Sequence, residues 1–224
     1  MSLNLIAKII LYICNFIAVL ISLPCHEFAH AFIAVKNGDM TPKYSGRYTL
    51  NPLAHFDPLG LIMMVLVRFG WAKPVPVNPN NFSNYKKGLF EVSIAGVTAN
   101  LILAFIFCPL SILASNIVIT ADATFPFKYF ICILPQSLFY LNVGLFVFNL
   151  LPLYPLDGFR LFDALSKRRG KLYFLLYRYG TYILLGIILL GYIGRNTGIP
   201  YLDILSYLID LVATPIIRLW GLIL

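Results

Sequence analysis

An apolar run from Leu3 to Val35 stands at the start of the chain and limits the folds open to it. A helix of that length rises about 50 Å, whereas the hydrocarbon core of a bilayer is about 30 Å thick, so we predict a spanning helix that tilts, bends or projects. The whole composition fits this environment, because 60% of the residues are hydrophobic, 12% are charged and the mean hydropathy is +0.84. We therefore expect an integral membrane protein and not a soluble domain.

Further apolar runs predict four more membrane-spanning helices after the first. Their approximate bounds, with the first included, are 4–36, 90–115, 128–151, 173–193 and 200–223. Gly96 and Asn100 lie four residues apart on one face of the second helix, a pattern typical of close helix approach and of an amide that bonds across helices. The fold class that we predict is an all-α polytopic membrane bundle of about five transmembrane helices.

The residues between the first two helices, about 40–88, are polar and rich in turn formers. Pro74, Pro76 and Pro79 favour extended backbone there, because proline fixes φ and lacks an N–H group. Non-helical backbone at membrane depth has to be covered by protein or line a cavity. We therefore expect a small membrane-associated β or re-entrant region at about 40–88, packed near the first helix.

The basic residues separate the predicted loops into two kinds. The basic loops follow helices 1 and 3, and their cations are Lys36, Lys43, Arg47, Arg68, Lys73, Lys86, Lys87, Arg160, Lys167, Arg168, Arg169 and Lys171. The loops after helices 2 and 4 carry only Lys128 and Arg195. The positive-inside rule then places the basic loops in the cytoplasm and the N-terminus outside. The net charge of +8 is accounted for by this orientation, and we expect no nucleic-acid partner.

The segment His26-Glu27-Phe28-Ala29-His30 lies inside the first apolar run. Two histidines four positions apart are about 40° apart around a helix, so both can face one ion. Neutral imidazoles suit Zn²⁺, and the intervening glutamate can take a proton from a water at the metal. The alternative is a pair of hydrogen-bonded helix histidines, but ionisable groups at membrane depth are costly and point to function.

A catalytic zinc site needs a third protein ligand, and Asp157 is the best candidate. His30 lies about six residues, or about 9 Å, from the cytoplasmic end of helix 1 by helix rise. Asp157 follows helix 3 on the same predicted side, so the two stretches can meet at one depth. An ordinary turn is the alternative for Asp157-Gly158. Six other acids are less well placed, namely Asp39, Asp57, Glu91, Asp163, Asp203 and Asp210.

Pro24, His55 and the four cysteines are interpreted separately. Pro24, just before the histidine motif, either opens a kink at the metal or is an ordinary membrane-helix proline. His55 is interpreted as a loop histidine that bonds to backbone, with a role near the site as the alternative. The cysteines lack metal-type spacing, so we interpret them as buried apolar side chains and not as disulfides. They are Cys14, Cys25, Cys108 and Cys132.

In their order along residues 15–165, the motifs resemble the site-2 protease family of intramembrane zinc metalloproteases. The similarity is carried by His26 to His30, Gly46-Arg47, Leu50 to Gly60, Gly70 to Pro79, Ala95-Gly96 with Asn100, and Asn149-x-x-Pro152-x-x-Pro155-Leu156-Asp157-Gly158. The resemblance implies a single membrane-embedded peptidase domain over 1–224. Its catalytic core would occupy about 4–165, with additional transmembrane helices at about 173–224. It also implies membrane-associated strands at about 40–88 that receive an extended substrate.

The resemblance also implies the roles of particular residues. His26, His30 and Asp157 would hold one Zn²⁺ per chain, Glu27 would be the catalytic acid and base, and Asn149 would hold substrate or the developing oxyanion. The implied substrate is a transmembrane protein or peptide, cleaved towards the cytoplasmic side of the plasma membrane.

Two other functions stay open on the sequence. One is a membrane zinc transporter or metal sensor that uses the same ligands, with Glu27 as a proton carrier. The other is an inactive family member that binds substrate as a scaffold. The sequence does not indicate an oligomeric state.

Overall fold

The computed structural model describes residues 3–57, 59–60, 73–117, 125–166 and 168–224. In chain order, its α-helices are α1 (Leu3–Lys36), α2 (Thr41–Tyr44), α3 (Pro52–His55), α4 (Tyr85–Ser115), α5 (Phe125–Leu150), α6 (Asp157–Leu165), α7 (Lys171–Thr197) and α8 (Ile204–Gly221). Two 3-10 helices lie at Pro79–Asn81 and Pro200–Leu202. Five of the described helices are long and apolar enough to cross a membrane, namely α1, α4, α5, α7 and α8. The prediction of about five helices with the length and composition of membrane spans is therefore confirmed.

Helix α1 is one continuous helix that contains Pro24 in its interior. It ends at Lys36, and Gly38 then adopts a φ of 104°, which side-chain-bearing residues rarely tolerate. The Gly38 amide donates to the Val35 carbonyl, and the Asp39 amide donates to the Ala34 carbonyl, so orphan carbonyls of the last turn are satisfied.

The predicted β or re-entrant region at about 40–88 is not supported by the described residues. They form α2, α3 and the 3-10 helix there, with an isolated bridge at Phe56 and an extended segment at 73–78, but no strand. Residues 58 and 61–72, which belong to the same predicted region, lie outside the described residues. Pro74 and Pro76 of the extended segment lack N–H donors, so this segment is a poor partner for a β-ladder.

Two of the N–H groups that remain in the extended segment bind carboxylates, one in α1 and one just after it. The Val75 amide donates to Oε2 of Glu27 at 2.9 Å, and the Asn78 amide donates to Oδ2 of Asp39 at 2.7 Å. Residues 73–78 are therefore held along α1 at two points, and we name them the strap.

The chain divides into two compact groups of residues. The first group comprises the described residues of 1–22, 100–148 and 184–224. Its apolar core joins α4, α5 and α8 through Ala104, Cys108, Phe139, Val143, Val147, Ala213 and Ile216. A buried amide adds a polar contact, because Nδ2 of Asn142 donates to Oγ of Ser22 at 2.8 Å. Such hydrogen bonds join spanning helices where water is absent.

The second group comprises the described residues of 23–99 and 149–183. Its core joins α1, α4 and α6 through Ala34, Phe82, Leu89, Val92 and Ala164. The start of α6 also packs against α7 through an aromatic cluster, in which the ring centroids of Phe159 and Tyr173 are 5.2 Å apart. These contacts fix the two helices that carry the candidate ligands.

The cysteines are all free thiols, as predicted. Cys14, Cys108 and Cys132 are buried in the first group, and Sγ of Cys132 lies 3.1 Å from the Ala114 carbonyl. Cys25 is half-buried beside the histidine motif.

The Asp39 carboxylate joins the end of α1 to the strap and to the following 3-10 helix. It is fully buried and accepts hydrogen bonds from the Thr41 amide, the Thr41 hydroxyl, the Asn78 amide and the Asn81 side chain. Burial alone would raise the pKa of Asp39, but these donors outweigh it and hold the pKa below its usual value.

We predict that Asp39→Asn destabilises the protein by about 1–3 kcal/mol. The NH₂ group of the new side chain would face N–H and O–H donors that now bind the carboxylate. In the wild type, the ionised Asp39 carboxylate contributes to the free energy of unfolding above a pH of about 4. This contribution is lost as the pH falls through the lowered pKa of the folded state. The apparent Tm in detergent should therefore fall in the mutant at neutral pH, and the gap to wild type should narrow on acidification. The control is Asp210→Asn, an exposed acid of α8. Equal Tm values for Asp39→Asn and wild type at pH 7 would contradict the prediction.

Candidate metal centre

Helix α1 presents two imidazoles side by side on one buried face. The ring centroids of His26 and His30 are 4.7 Å apart, and their Nε2 atoms are 3.1 Å apart. Each histidine is 5% exposed, so neither nitrogen is freely hydrated. Their spacing of four residues accounts for this placement, as the helical period predicts.

The third group, Asp157, is the first residue of α6. Its Oδ2 lies 3.1 Å from Nε2 of His26 and 3.0 Å from Nε2 of His30. Gly158 allows this approach, because a Cβ there would collide with the backbone carbonyls of Leu150 and Leu151. The start of α6 therefore packs directly on the backbone that follows α5, and the carboxylate reaches the α1 imidazoles across 127 residues of sequence.

The three ligand atoms form a nearly equilateral triangle that fits a zinc ion. Their separations of 3.0–3.1 Å compare with about 3.4 Å between ligands of a tetrahedral ion with bonds of about 2.1 Å. Two imidazoles and one carboxylate are also a donor set of catalytic zinc sites, in which a further position stays open. Among the described residues, this is the one cluster of three His, Cys, Asp or Glu side chains with converging ligand atoms.

A backbone carbonyl sets the orientation of one ligand. Nδ1 of His30 lies 2.7 Å from the Val92 carbonyl of α4. Because a carbonyl only accepts, Nδ1 carries the proton and the Nε2 lone pair of neutral His30 is left for the metal.

The Asp157 carboxylate is held in its ionised form. Burial alone would raise the pKa of Asp157, but the charge of His30 in its protonated form and hydrogen bonds with His26 and His30 outweigh it and lower the pKa well below its usual value. Metal ligands have to be deprotonated, so the side chain is in the form that a cation needs.

Because Gly96 of α4 has no side chain, the space in front of both imidazoles stays free. A Cβ at this position would lie 2.7 Å from Nε2 of His26 and closer still to Nε2 of His30. The sequence predicted close helix approach at Gly96, and the structure adds that the approach is to the two imidazoles. The absence of a side chain here is a condition for an ion between them.

Glu27 and Asn149 line the same cavity as the three ligands. Its volume is about 130 Å³, and its other lining residues are Pro74, Val75, Val77, Pro155, Leu156 and Arg160. The structure thus brings together all five residues that the sequence singled out, although their roles stay predictions.

Two lining residues, Val75 and Arg160, were missed at the sequence level. Val75 has the only N–H in the triplet Pro74-Val75-Pro76, and Arg160 follows Asp157 by three helical positions, so both had a readable signal.

His55 and Cys25 lie outside the metal cluster. His55 is fully buried, and its Nε2 lies 2.7 Å from the Thr49 carbonyl, which agrees with the interpretation as a loop histidine bonded to backbone. Neither residue lines the cavity.

Comparison with known proteins gives relatives of one kind. YwhC of Bacillus subtilis, whose name describes it as a candidate zinc metalloprotease, is 45% identical over 151 residues, which are 66% of this chain and 67% of YwhC. Rip2 of Mycolicibacterium smegmatis and Rip2 of Mycobacterium tuberculosis, described in the same way, are each 33% identical over 149 residues. That alignment covers 62% of this chain and about half of Rip2 (52%). No family model matches the chain, and no solved structure matches it.

The identity to YwhC extends over two thirds of both sequences, and the chain carries the paired helix histidines, the intervening glutamate and a converging carboxylate. This chain therefore belongs to the site-2 protease family of zinc metalloproteases.

Proposed function

We propose that this protein is an intramembrane zinc endopeptidase of the site-2 type, which hydrolyses peptide bonds within or near transmembrane segments during regulated intramembrane proteolysis. One observation carries the proposal. The buried triangle of His26, His30 and Asp157 shares a cavity with Glu27, and α1, which supplies three of these residues, is apolar and long enough to span a bilayer.

The residues of the cavity suit peptide hydrolysis. His26, His30 and Asp157 would hold one Zn²⁺ per chain, which supplies Lewis acidity when bound. Glu27 takes the proton of the attacking water and later delivers it to the leaving amine. The Val75 amide donates a hydrogen bond to Oε2 of Glu27, which leaves Oε1 to accept the proton of the water. Asn149 lines the same cavity, and its amide would donate to the developing oxyanion.

The size of the cavity argues for an extended substrate. A volume of about 130 Å³ equals the share of roughly four water molecules in the liquid, whereas a helix with its side chains is about 10–12 Å wide. A transmembrane substrate would unwind before its amide reaches Glu27, so helix-breaking residues in the substrate should favour cleavage. The proline-containing strap is non-helical backbone that lines the cavity, which is where such backbone is tolerated in membrane proteins.

The orientation that we propose follows the basic loops. His30 is about 9 Å along the helix from the end of α1 at Lys36, and the loops rich in Lys and Arg adjoin that end. The active site would lie towards the cytoplasmic side of a plasma membrane, and the substrate would be a membrane protein in the same bilayer.

We predict that Glu27→Gln retains zinc and lowers peptide cleavage by about 10²- to 10⁴-fold, because it removes the proton acceptor and not a metal ligand. The purified full chain is incubated with single-span peptides with and without a zinc chelator, cleavage is read by mass spectrometry, and zinc by elemental analysis. The matched control is Glu91→Gln, since Glu91 bonds to Asn37 and Lys87 and does not line the cavity. Full activity of Glu27→Gln would refute the mechanism, and zinc flux into vesicles without hydrolysis would favour a transporter.

We predict that Val75→Pro lowers kcat by about tenfold or more, because it removes the N–H that holds the Glu27 carboxylate, and hydrogen bonds to charged groups are strong. Proline is compatible with the extended backbone of the strap. Val75→Ala keeps the N–H and serves as the comparison variant, so its kcat should exceed that of Val75→Pro. Equal kcat values for the two variants at full zinc content would show that the amide does not position Glu27.

We predict that Gly96→Ala weakens zinc binding, because the new methyl group occupies the space between the two imidazole Nε2 atoms. The measurement is zinc content after dialysis against a graded series of chelator concentrations. Gly186→Ala in α7 is the matched control, because a Cβ there meets open space. Unchanged zinc retention in Gly96→Ala would place the metal elsewhere.

A further inference from the structure

Arg160 is a charged residue of the cavity that the mechanism does not use. It lies in α6 three positions after Asp157, on the same side of the helix, and it is exposed while lining the cavity. Its guanidinium makes no ion pair, hydrogen bond or ring contact with the described part of the chain. Asp157 does not neutralise it, because the Asp157 carboxylate is turned to the imidazoles.

The charge balance of the cavity makes this guanidinium stand out. Glu27 and Asp157 are the two acids among the lining residues, and together they balance one divalent ion. With that ion bound, the positive charge of Arg160 has no counterpart in the cavity wall. An anionic group on a bound molecule would supply the counterpart.

The chemistry of arginine and the volume of the cavity indicate which anionic group would pair with Arg160. A guanidinium presents a planar fork of donors that matches a carboxylate bidentately. The cavity has space for roughly four waters and is lined by the strap and by metal ligands, which suits a peptide carboxylate better than a lipid phosphate with its glycerol.

We propose that Arg160 is a specificity residue that binds a carboxylate of the substrate, which is either an Asp or Glu side chain or a free C-terminus. The proposal rests on the protease function argued above. Three helical positions separate Arg160 from the ligand Asp157, a rise of about 4.5 Å, and an extended peptide advances about 3.3–3.6 Å per residue. The carboxylate should therefore lie within about three residues of the scissile bond.

Peptide binding tests the proposal apart from turnover. The protein is the full chain carrying Glu27→Gln with zinc bound. The probes are apolar single-span peptides of about 20 residues with a central Pro-Gly break. Matched probes carry Glu, Gln or Lys two residues from the break. A further pair of probes ends two residues after the break, one with a free and one with an amidated C-terminus. The Kd of each probe is measured by fluorescence in detergent micelles, and wild-type kcat/KM is measured in parallel.

The expected result is that the Glu probe binds about tenfold or more tightly than the Gln probe. Arg160→Gln should bring that ratio to about 1, and Arg160→Glu should make the Lys probe the preferred one. The pair of probes that differ at the C-terminus shows whether a free carboxylate there can replace the acidic side chain. Arg168→Gln removes one exposed positive charge outside the cavity, so it should preserve the ratio.

Several outcomes would overturn the proposal. These are an equal Kd for the Glu and Gln probes, a preference that survives Arg160→Gln, or equal displacement of both probes by phosphatidylglycerol, which would mean that Arg160 binds lipid phosphate. A charge preference in binding together with no zinc-dependent cleavage by wild type would support the carboxylate site and refute the protease function.

Discussion

The convergence of three lone-pair donors at one buried point is the constraint on which the second group of residues depends. The Nε2 atoms of His26 and His30 and Oδ2 of Asp157 lie 3.0–3.1 Å apart with little exposure. Buried polar groups at such separations need a proton or a cation between them, since a desolvated and unpaired charge is costly. The structure meets this need with a geometry that suits zinc, and neighbouring elements keep the space free for it.

Backbone features, more than side chains, hold this arrangement. The Val92 carbonyl fixes the His30 tautomer, Gly96 leaves room before the imidazoles, and Gly158 lets α6 start against the backbone that follows α5. The strap adds the Val75 amide, which binds Glu27. Each of these groups acts through a carbonyl, an N–H or a missing Cβ, so their effect depends on how closely the helices approach and less on chemical reactivity.

The sequence predicted the spans well because bilayer hydrocarbon imposes a length and a composition on every crossing helix. The predicted helix at about 90–115 begins earlier, at Tyr85, because the side chain of Asn84 accepts a hydrogen bond from the Lys87 amide and caps the first turn. The strands expected at about 40–88 were wrong for the described residues. There the two carboxylates at Glu27 and Asp39 take the N–H groups that a β-ladder would have used.

Composition and spacing by themselves determined a multi-pass helical protein and a pair of histidines facing one ion, since hydropathy and the helical period are local properties of the chain. The sequence motifs and the family resemblance also singled out Asp157, Glu27 and Asn149. Only the tertiary structure decided that the Asp157 carboxylate reaches the imidazoles, that Gly96 fronts them, and that Val75 and Arg160 share the cavity. The physical reason is that these contacts join residues far apart in sequence, so they are fixed by helix packing, which no local pattern encodes.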